Sequence, residues 1–392
     1  MLKVLFIGGT GCISQSISEL AVNKNIDLTL INRGNRKIPQ GATLIKADVR
    51  DLGKIENELK GKHYDVICDF LVFTESQLKD SFIFFKNYCD QYIFISSCAV
   101  TDSRVGGILD EESNCVLPMW QYSVDKMKCE ETLKKMASKS NVSYTIVRPC
   151  VTFDSTRIPY GISPRYGYHW TLCARILANK PIIRWNKGIN KCNMMRSEDF
   201  AEAFIGLLGN IKAFNETIII AGEEAPSFND VLSEISNYLN KEVSIIDVTS
   251  EFYAKELPYR SGEILGGRSI DAIFSIKKLK GIVPKFKQKY TFKEGIKKTI
   301  EDIKDQNYQY GIDYIFDAEC DRIIEKWNKI NHISSKHSLR FVDYLNKHSF
   351  SDKITYYIYR YKINLFLYKY FILFIKCFSV KRVTRKILHI LR

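Results

Sequence analysis

The chain has 392 residues, 45% hydrophobic and 26% charged, with a formal net charge of +14, a size and balance that fit one large two-lobed domain or two modest ones. Its eleven Cys fall in no CxxC pair, which argues against zinc or a disulfide framework and for reduced thiols in the cytosol. Ten Lys or Arg and no acid lie between Lys353 and Arg392, so the tail carries most of the excess, and a general nucleic-acid-binding coat is disfavoured.

The opening "MLKVLFIGG" runs straight into a strand, without the basic, apolar and cleavage regions of a secretory signal. "FIGGTGCIS" then turns that strand into a helix, "ISQSISELAVNKN". Gly8, Gly11 and Ser14 have the spacing of a GxxGxxG loop, whose backbone N–H groups approach a pyrophosphate at the positive helix end. The strand–loop–helix context points to a dinucleotide, with Thr10, Cys12 and Ile13 beside the glycines. The second strand, "DLTLINR", ends at Asn32, where an acid would hold the ribose of NAD. Arg33 and Arg36 follow and tilt the reading slightly to the extra phosphate of NADP. "ATLIKADVRD" is the third strand, and Asp48 and Val49 at its end are expected beside the adenine.

"YDVICDFLV" and "QYIFISS" are the fourth and fifth strands. "SVDKMKCEETLKKMASKS" is a long amphipathic helix and "SYTIVRP" the sixth strand, a βαβ series that implies a doubly wound parallel sheet. "QYSVDK" sets Tyr122 and Lys126 on one helix face. A chain with 22 Tyr yields about two such Tyr-x-x-x-Lys matches by chance, so position in the chain carries the argument. After Phe153 comes a Pro-, Gly- and Tyr-rich loop, "STRIPYGISPRYGYHW", of the kind that faces a substrate. "SEDFAEAFIGLLGN" is expected as a helix capped by its Ser and ending at Gly209 or Asn210, "ETIIIAG" as a strand, and "SFNDVLSEISNYLNK" as another capped helix.

The GGTGxIS loop, ADxRD, "FISS", YxxxK and "VRP", in this order over Met1 to Trp327, resemble the extended short-chain dehydrogenase/reductase family, the NAD-dependent epimerase/dehydratase group. "INRGNR", "DFLVFT" and "DAECDRIIEKW" resemble one sugar-nucleotide epimerase-like subgroup. The resemblance implies a Rossmann-like, doubly wound α/β fold with an NAD(P)-binding domain over 1–155 and an interleaved, smaller α/β substrate lobe over 156–327; beyond it, the tail's own residues mark a helical, basic-aromatic C-terminal extension over 328–392. It also implies a catalytic trio of Ser97, Tyr122 and Lys126, with Tyr122 and Lys126 touching the cofactor too. Ser97 is preferred to Ser96, which should face the other side of its strand.

A phenol is a poor base at neutral pH, and a neighbouring ammonium favours its phenolate. Tyr122 would then take a sugar hydroxyl proton as hydride leaves the same carbon. Dehydratases of the family carry an Asp-Glu pair directly after the catalytic Thr or Ser. Cys98 and Ala99 stand there instead, which leaves epimerisation or ketone reduction; Cys98 reads as a small packing residue. Arg157, Arg165, Arg184 and Arg196 lie where relatives hold the substrate pyrophosphate, although a solvated charge suits any single one. His169 is either a second acid/base or a packing residue.

In the tail, Lys362, Lys369 and Lys376 recur every seven residues among apolar and aromatic neighbours. That pattern fits an in-plane membrane helix better than a spanning one, with an oligomer contact or docking on the body as alternatives. The substrate expected is a sugar nucleotide or lipid-linked sugar, handled in the cytoplasm or at the inner membrane face; a homodimer is compatible with this. The rival reading is a non-catalytic RNA-binding protein on the same fold, as in some chloroplast relatives.

Overall fold

A computed structural model describes residues 1–115, 119–334 and 337–363. Lys369, Lys376 and the rest of the apolar tail lie outside the described residues, and so does the expected membrane helix.

The first part runs β1 (Lys3–Ile7), α1 (Cys12–Asn23), β2 (Asp27–Asn32), β3 (Thr43–Lys46), α2 (Leu52–Leu59), β4 (Tyr64–Asp69) and α3 (Glu75–Phe85). It continues with β5 (Cys89–Ile95), β6 (Ile108–Leu109), α4 (Gln121–Ala137), β7 (Ser143–Pro149) and β8 (Val151–Phe153). Then follow α5 (Trp170–Leu177), β9 (Ile182–Trp185), β10 (Met194–Arg196), α6 (Ser197–Ile205), β11 (Glu216–Ile220), α7 (Phe228–Leu239) and β12 (Ile245–Val248). The chain closes with α8 (Ser250–Glu256), α9 (Ser261–Glu263), β13 (Ile273–Phe274), α10 (Lys277–Ile282), α11 (Phe292–Asp305), α12 (Tyr314–Ile330) and α13 (Phe350–Tyr361).

Seven parallel strands form one sheet in the order β3-β2-β1-β4-β5-β7-β11. The seven strands expected from the sequence are all in it, "ETIIIAG" included, although the sequence assigns that one to the smaller lobe. The seventh, β11, comes from the later part of the chain and pairs with β7, Glu216 opposite Thr145. Strand order reverses between β1 and β4, the place where such sheets open a crevice at the carboxyl ends of their strands. The strands are apolar on both sides because both faces are covered. Val4 and Phe6 pack with Phe200 and Phe204 of α6, whereas Leu5 and Ile7 pack with Leu78 and Phe82 of α3.

Helix α7 is capped as expected, with Ser227 accepting from Asp230 N–H. Helix α6 is not. Arg196 occupies its cap and Ser197 is its first residue, with its hydroxyl against that of Ser16 (2.7 Å). Arg196 is fixed from outside the helix, by Thr299 (2.6 Å) and Asp302 (3.2 Å), and this sets where the turn begins. The helix also stops at Ile205, short of Gly209.

A second core lies beyond the sheet, built from Phe153, Trp185, Phe228, Ile296, Ile323 and their neighbours, and closed by Tyr356 of α13. Inside it, Asp317 and Asp321 sit one turn apart on α12 and face Arg175 and Lys180, all essentially unexposed. Tyr356 adds its hydroxyl to Asp321 (2.5 Å), and Arg360 pairs with Glu325 (2.6 Å). So the first stretch of the basic extension docks on the body, one of the roles the sequence left open for the tail. Among the described residues, no helix is long and apolar enough to cross a membrane.

Candidate active site

The loop after β1 bends through Gly8 and Gly9, at φ of 108° and 87°. Side chains rarely adopt that backbone, and a Cβ on Gly9 would lie 2.6 Å from Leu30 Cδ2. Gly11 has an ordinary φ of −94°; a Cβ there would meet only Ser14 Oγ, at 3.4 Å. Its value is therefore openness toward the cleft. Ser14 is buried in the third loop position, and its hydroxyl accepts the Gly11 N–H (2.8 Å).

A groove of about 1090 Å³ runs from Gly8, Thr10 and Gly11 to Asn32, Arg33, Arg36, Asp48 and Val49. Asn32 accepts the Gly34 N–H (2.8 Å) and shapes the turn where an acid would otherwise face a ribose. Arg36 folds back to donate to Thr10 O (2.5 Å) and lies 5.5 Å over the Tyr166 ring, while Arg33 is exposed. Asp48 grips Arg50 with both oxygens (2.8 and 2.6 Å), which holds its carboxyl below the usual range. Cys12 and Ile13 face the adjoining cleft, so the loop serves two compartments. The glycine geometry and the groove together suit a dinucleotide.

That adjoining cleft, about 450 Å³, contains Ser97, Tyr122 and Lys126. Ser97 opens the short turn after β5, and its Oγ accepts from Ala99 N–H (3.2 Å). Ser96 points elsewhere, as expected, donating to Glu130 (2.5 Å). Tyr122 is half-buried at the start of α4, its ring 4.9 Å from that of Trp120. Burial pushes its phenol up; a hydrogen bond with Ser97 and the charges of Arg268 and Arg157 act the other way.

Lys126 is buried, with Nζ donating to Val72 O (2.6 Å) and Ile95 O (2.7 Å) between the rings of Phe73 and Phe94. Desolvation brings its pKa down to about 8, opposed by Cys129, Asp69 and Glu130. The "DFLVFT" segment supplies this seat. Asp69, fixed by Ser81 (2.5 Å) and Tyr92 (3.0 Å), accepts the Leu71 N–H (2.9 Å) and so sets the turn that presents Val72 O.

A third cavity, about 640 Å³, shares Arg157 and Glu263 with the Ser97–Tyr122–Lys126 cleft and adds Arg165, His169, Tyr259 and Arg260. Of the four arginines marked in the sequence, Arg157 and Arg165 face it. Arg184 pairs with Asp247 at the surface, and Arg196 is buried among Glu198, Thr299 and Asp302. His169 Nδ1 meets the Ile158 N–H (3.2 Å), and burial, then Arg157, holds its pKa down to about 3. It is a neutral packing histidine.

The sequence did not flag the far wall. α9 and the π-helical turn Ile264–Arg268 lie against Trp120, and a Cβ on Gly262 would sit 3.0 Å from Trp120 Cα. The spacing in "SGEILGGR" was the available signal, since glycines inside a helical stretch mark close backbone approach. Arg268 comes from this wall. Two buried threonines of the cleft, Thr101 and Thr152, have hydroxyls with no hydrogen-bond partner among the described residues, as expected of groups that contact a ligand.

A switch-point groove, a glycine loop and a Ser-Tyr-Lys cleft share one doubly wound α/β sheet, the fold of the extended short-chain dehydrogenase/reductase family. Residues 8–167 match the family described as NAD(P)H-binding. The chain is 26% identical over 243 residues to the chloroplast stem-loop binding protein of 41 kDa b of Arabidopsis thaliana, covering 58% of this chain and 60% of that relative. The match thus spans about three fifths of that relative's length. Among solved structures, the UDP-glucuronic acid 4-epimerase of Bacillus cereus, in complex with UDP-glucuronic acid and NAD, superposes with a TM-score of 0.60 at 16% identity, over 78% of this chain and 99% of that one. The UDP-N-acetylglucosamine 4-epimerase of Methanobrevibacter ruminantium does so with a TM-score of 0.61 at 21% identity, over 78% and 99%.

Proposed function

We propose that this chain is an NAD(P)-dependent epimerase or ketoreductase acting on a nucleotide-linked or lipid-linked sugar. The observation that carries the reading is that Ser97, Tyr122 and Lys126 line one cleft together with Gly11, Cys12 and Ile13 of the glycine loop. In this reading residues 1–155 hold the cofactor, 156–327 form the substrate side, and 328–392 are the extension. The glycine loop, Asn32, Arg33 and Val49 would hold the nicotinamide dinucleotide, which supplies or accepts hydride. A slight lean to NADP now rests on Arg33, because Arg36 is turned back to Thr10.

Tyr122 takes or returns the proton of a sugar hydroxyl. Ser97 holds that oxygen within reach, and Arg157 and Arg268 favour the phenolate. Lys126 braces the Val72 and Ile95 carbonyls beneath this cleft. Replacing Tyr122 with Phe and measuring turnover of UDP-sugars tests this; full turnover in the variant refutes it. Mass spectrometry of cofactor retained on purification separates the two chemistries, with bound NAD⁺ expected for an epimerase and easily lost NADPH for a reductase. The tail is assigned to anionic membrane, and unchanged vesicle co-sedimentation after deleting residues 364–392 would overturn that role.

The second reading, RNA binding, is favoured by the name of the Arabidopsis relative. Salt-sensitive binding of an RNA stem-loop with no affinity for a nicotinamide dinucleotide would establish it over the first.

A further inference from the structure

Helix α13 belongs to the extension, yet it reaches the third cavity of the body: Tyr359 lines that cavity, together with Tyr259, Phe316 and Glu319. The helix is firmly seated. Ser349 and Asp352 close its first turn as a capping box. Tyr356 is unexposed and donates to Asp321 (2.5 Å), and Arg360 pairs with Glu325 (2.6 Å). Just past its end, Lys362 meets Glu256 of α8 (3.8 Å), three residues ahead of Tyr259. Tyr356 and Arg360, one turn apart, hold the face turned to α12. Tyr359 stands beside that face, half-buried, with a hydroxyl that bonds to no described residue.

The charges of this cavity are settled unevenly. Arg165 pairs with Asp313 (3.1 Å) and Arg260 with Glu263 (3.0 Å), so both are already neutralised. Arg157 donates to Thr152 O (3.2 Å) and has no ion pair among the described residues. It lines both the cavity and the Ser97–Tyr122 cleft, so the free positive charge stands at their junction. Beyond that junction the cavity offers rings. Tyr259 is 69% exposed, and its hydroxyl is tied to Glu319 (2.7 Å), which leaves the ring as its free surface.

We propose that Tyr359 is a specificity-determining residue of the extension, whose ring stacks on the base of a nucleoside diphosphate carrier. The phosphates of the carrier lie at Arg157, and its sugar enters the Ser97–Tyr122 cleft. The inference rests on the enzymatic reading above and adds that the extension builds part of the substrate's seat. An aromatic ring accepts the π-face of any base, and a flat uncharged ring suits a wall whose arginines are already paired. A polyprenyl carrier fits poorly, because its chain would dry Arg165, Arg260, Asp313 and Glu319 without replacing their water contacts.

The test titrates the full chain with UDP, dTDP, GDP and CDP by calorimetry, with NAD⁺ and NADP⁺ in excess and inorganic pyrophosphate as the ringless control. At least one nucleoside diphosphate should bind the parent chain more tightly than pyrophosphate. Tyr359→Ala should weaken that ligand about tenfold and leave pyrophosphate binding unchanged. Tyr359→Phe keeps the ring and should bind as the parent does. Unchanged affinity of Tyr359→Ala for the nucleoside diphosphate overturns the inference and leaves the enzymatic reading standing. An equal loss for pyrophosphate also overturns it, since that marks an unseated α13 and not a lost stacking contact. Binding of none of these diphosphates removes the nucleotide-linked substrate itself, and this inference with it. Tyr122 does not line the cavity, so in turnover of the matching nucleotide sugar Tyr359→Ala should raise KM about tenfold and leave kcat unchanged; a fall in kcat with KM unmoved overturns the assignment.

Discussion

Two buried lysines of this chain are held in opposite ways. Lys180 lies in the second core between carboxylates, with Asp317 at 3.0 Å, Asp321 at 2.5 Å and the Arg340 carbonyl at 3.0 Å. Lys126 lies under the Ser97–Tyr122 cleft and, among the described residues, has two carbonyls and two aromatic rings around its ammonium. One charge is sealed into a network shared with Arg175; the other is left without a contacting anion, next to a space for a ligand. Burial alone does not mark function; what distinguishes a candidate site is a buried charge whose compensation is incomplete.

The largest effect should come from breaking the sealed network. Asp317→Ala leaves Arg175 and Lys180 to share Asp321, one buried charge uncompensated, and should cost about 3–5 kcal/mol, read as a shift in the denaturant midpoint; a loss below ~1 kcal/mol would mean water already reaches the cluster. In the cleft, Tyr122→Phe should lower turnover by about 10²–10⁴-fold while the melting temperature barely moves. Similar losses of stability at both positions would erase the distinction between the two regions.

Lys126 offers a finer test through pH. Its pKa of about 8 in the fold lies below the ordinary lysine value of ~10.4. Between those values the unfolded chain holds more protons, so stability rises with pH there; the burial penalty is present in full below 8. Subtracting the stability–pH curve of Lys126→Met from that of the parent should isolate this rise, and a flat difference would show the lysine solvated. The smallest effect is expected at the rim. Arg184→Ala removes the half-exposed pair with Asp247 and should change stability by about 0.2–1 kcal/mol, measured by chemical denaturation.

Much of the first half was legible because its signals are local. Gly8 and Gly11 mark a turn that needs small residues, and uninterrupted apolar runs mark strands covered on both faces. Tyr122 and Lys126 reached one cleft because four helical residues make one face. The cleft's other wall was not legible. Arg268, Thr101 and Thr152 meet only through the tertiary path of the chain, and nothing periodic announces it. The core carboxylates of "DAECDRIIEKW" showed their shared face, but their partners Arg175 and Lys180 lie well over a hundred residues earlier. Cys98 reads as a packing residue, and it is buried against Leu109, Ile219 and Phe274.

The contact between Tyr356 and Asp321 has a consequence for how the chain is made. The second core has its last hydroxyl and its closing ring on a segment synthesised after almost everything it covers. A nascent chain that has only just extended past α12 carries four buried-type charges whose shelter is incomplete. On the ribosome, then, the nucleotide-binding sheet can be assembled once β11 emerges, whereas the second lobe must wait for some hundred and forty residues more. Synthesis order makes the parallel sheet the early folding unit and the second core the late one.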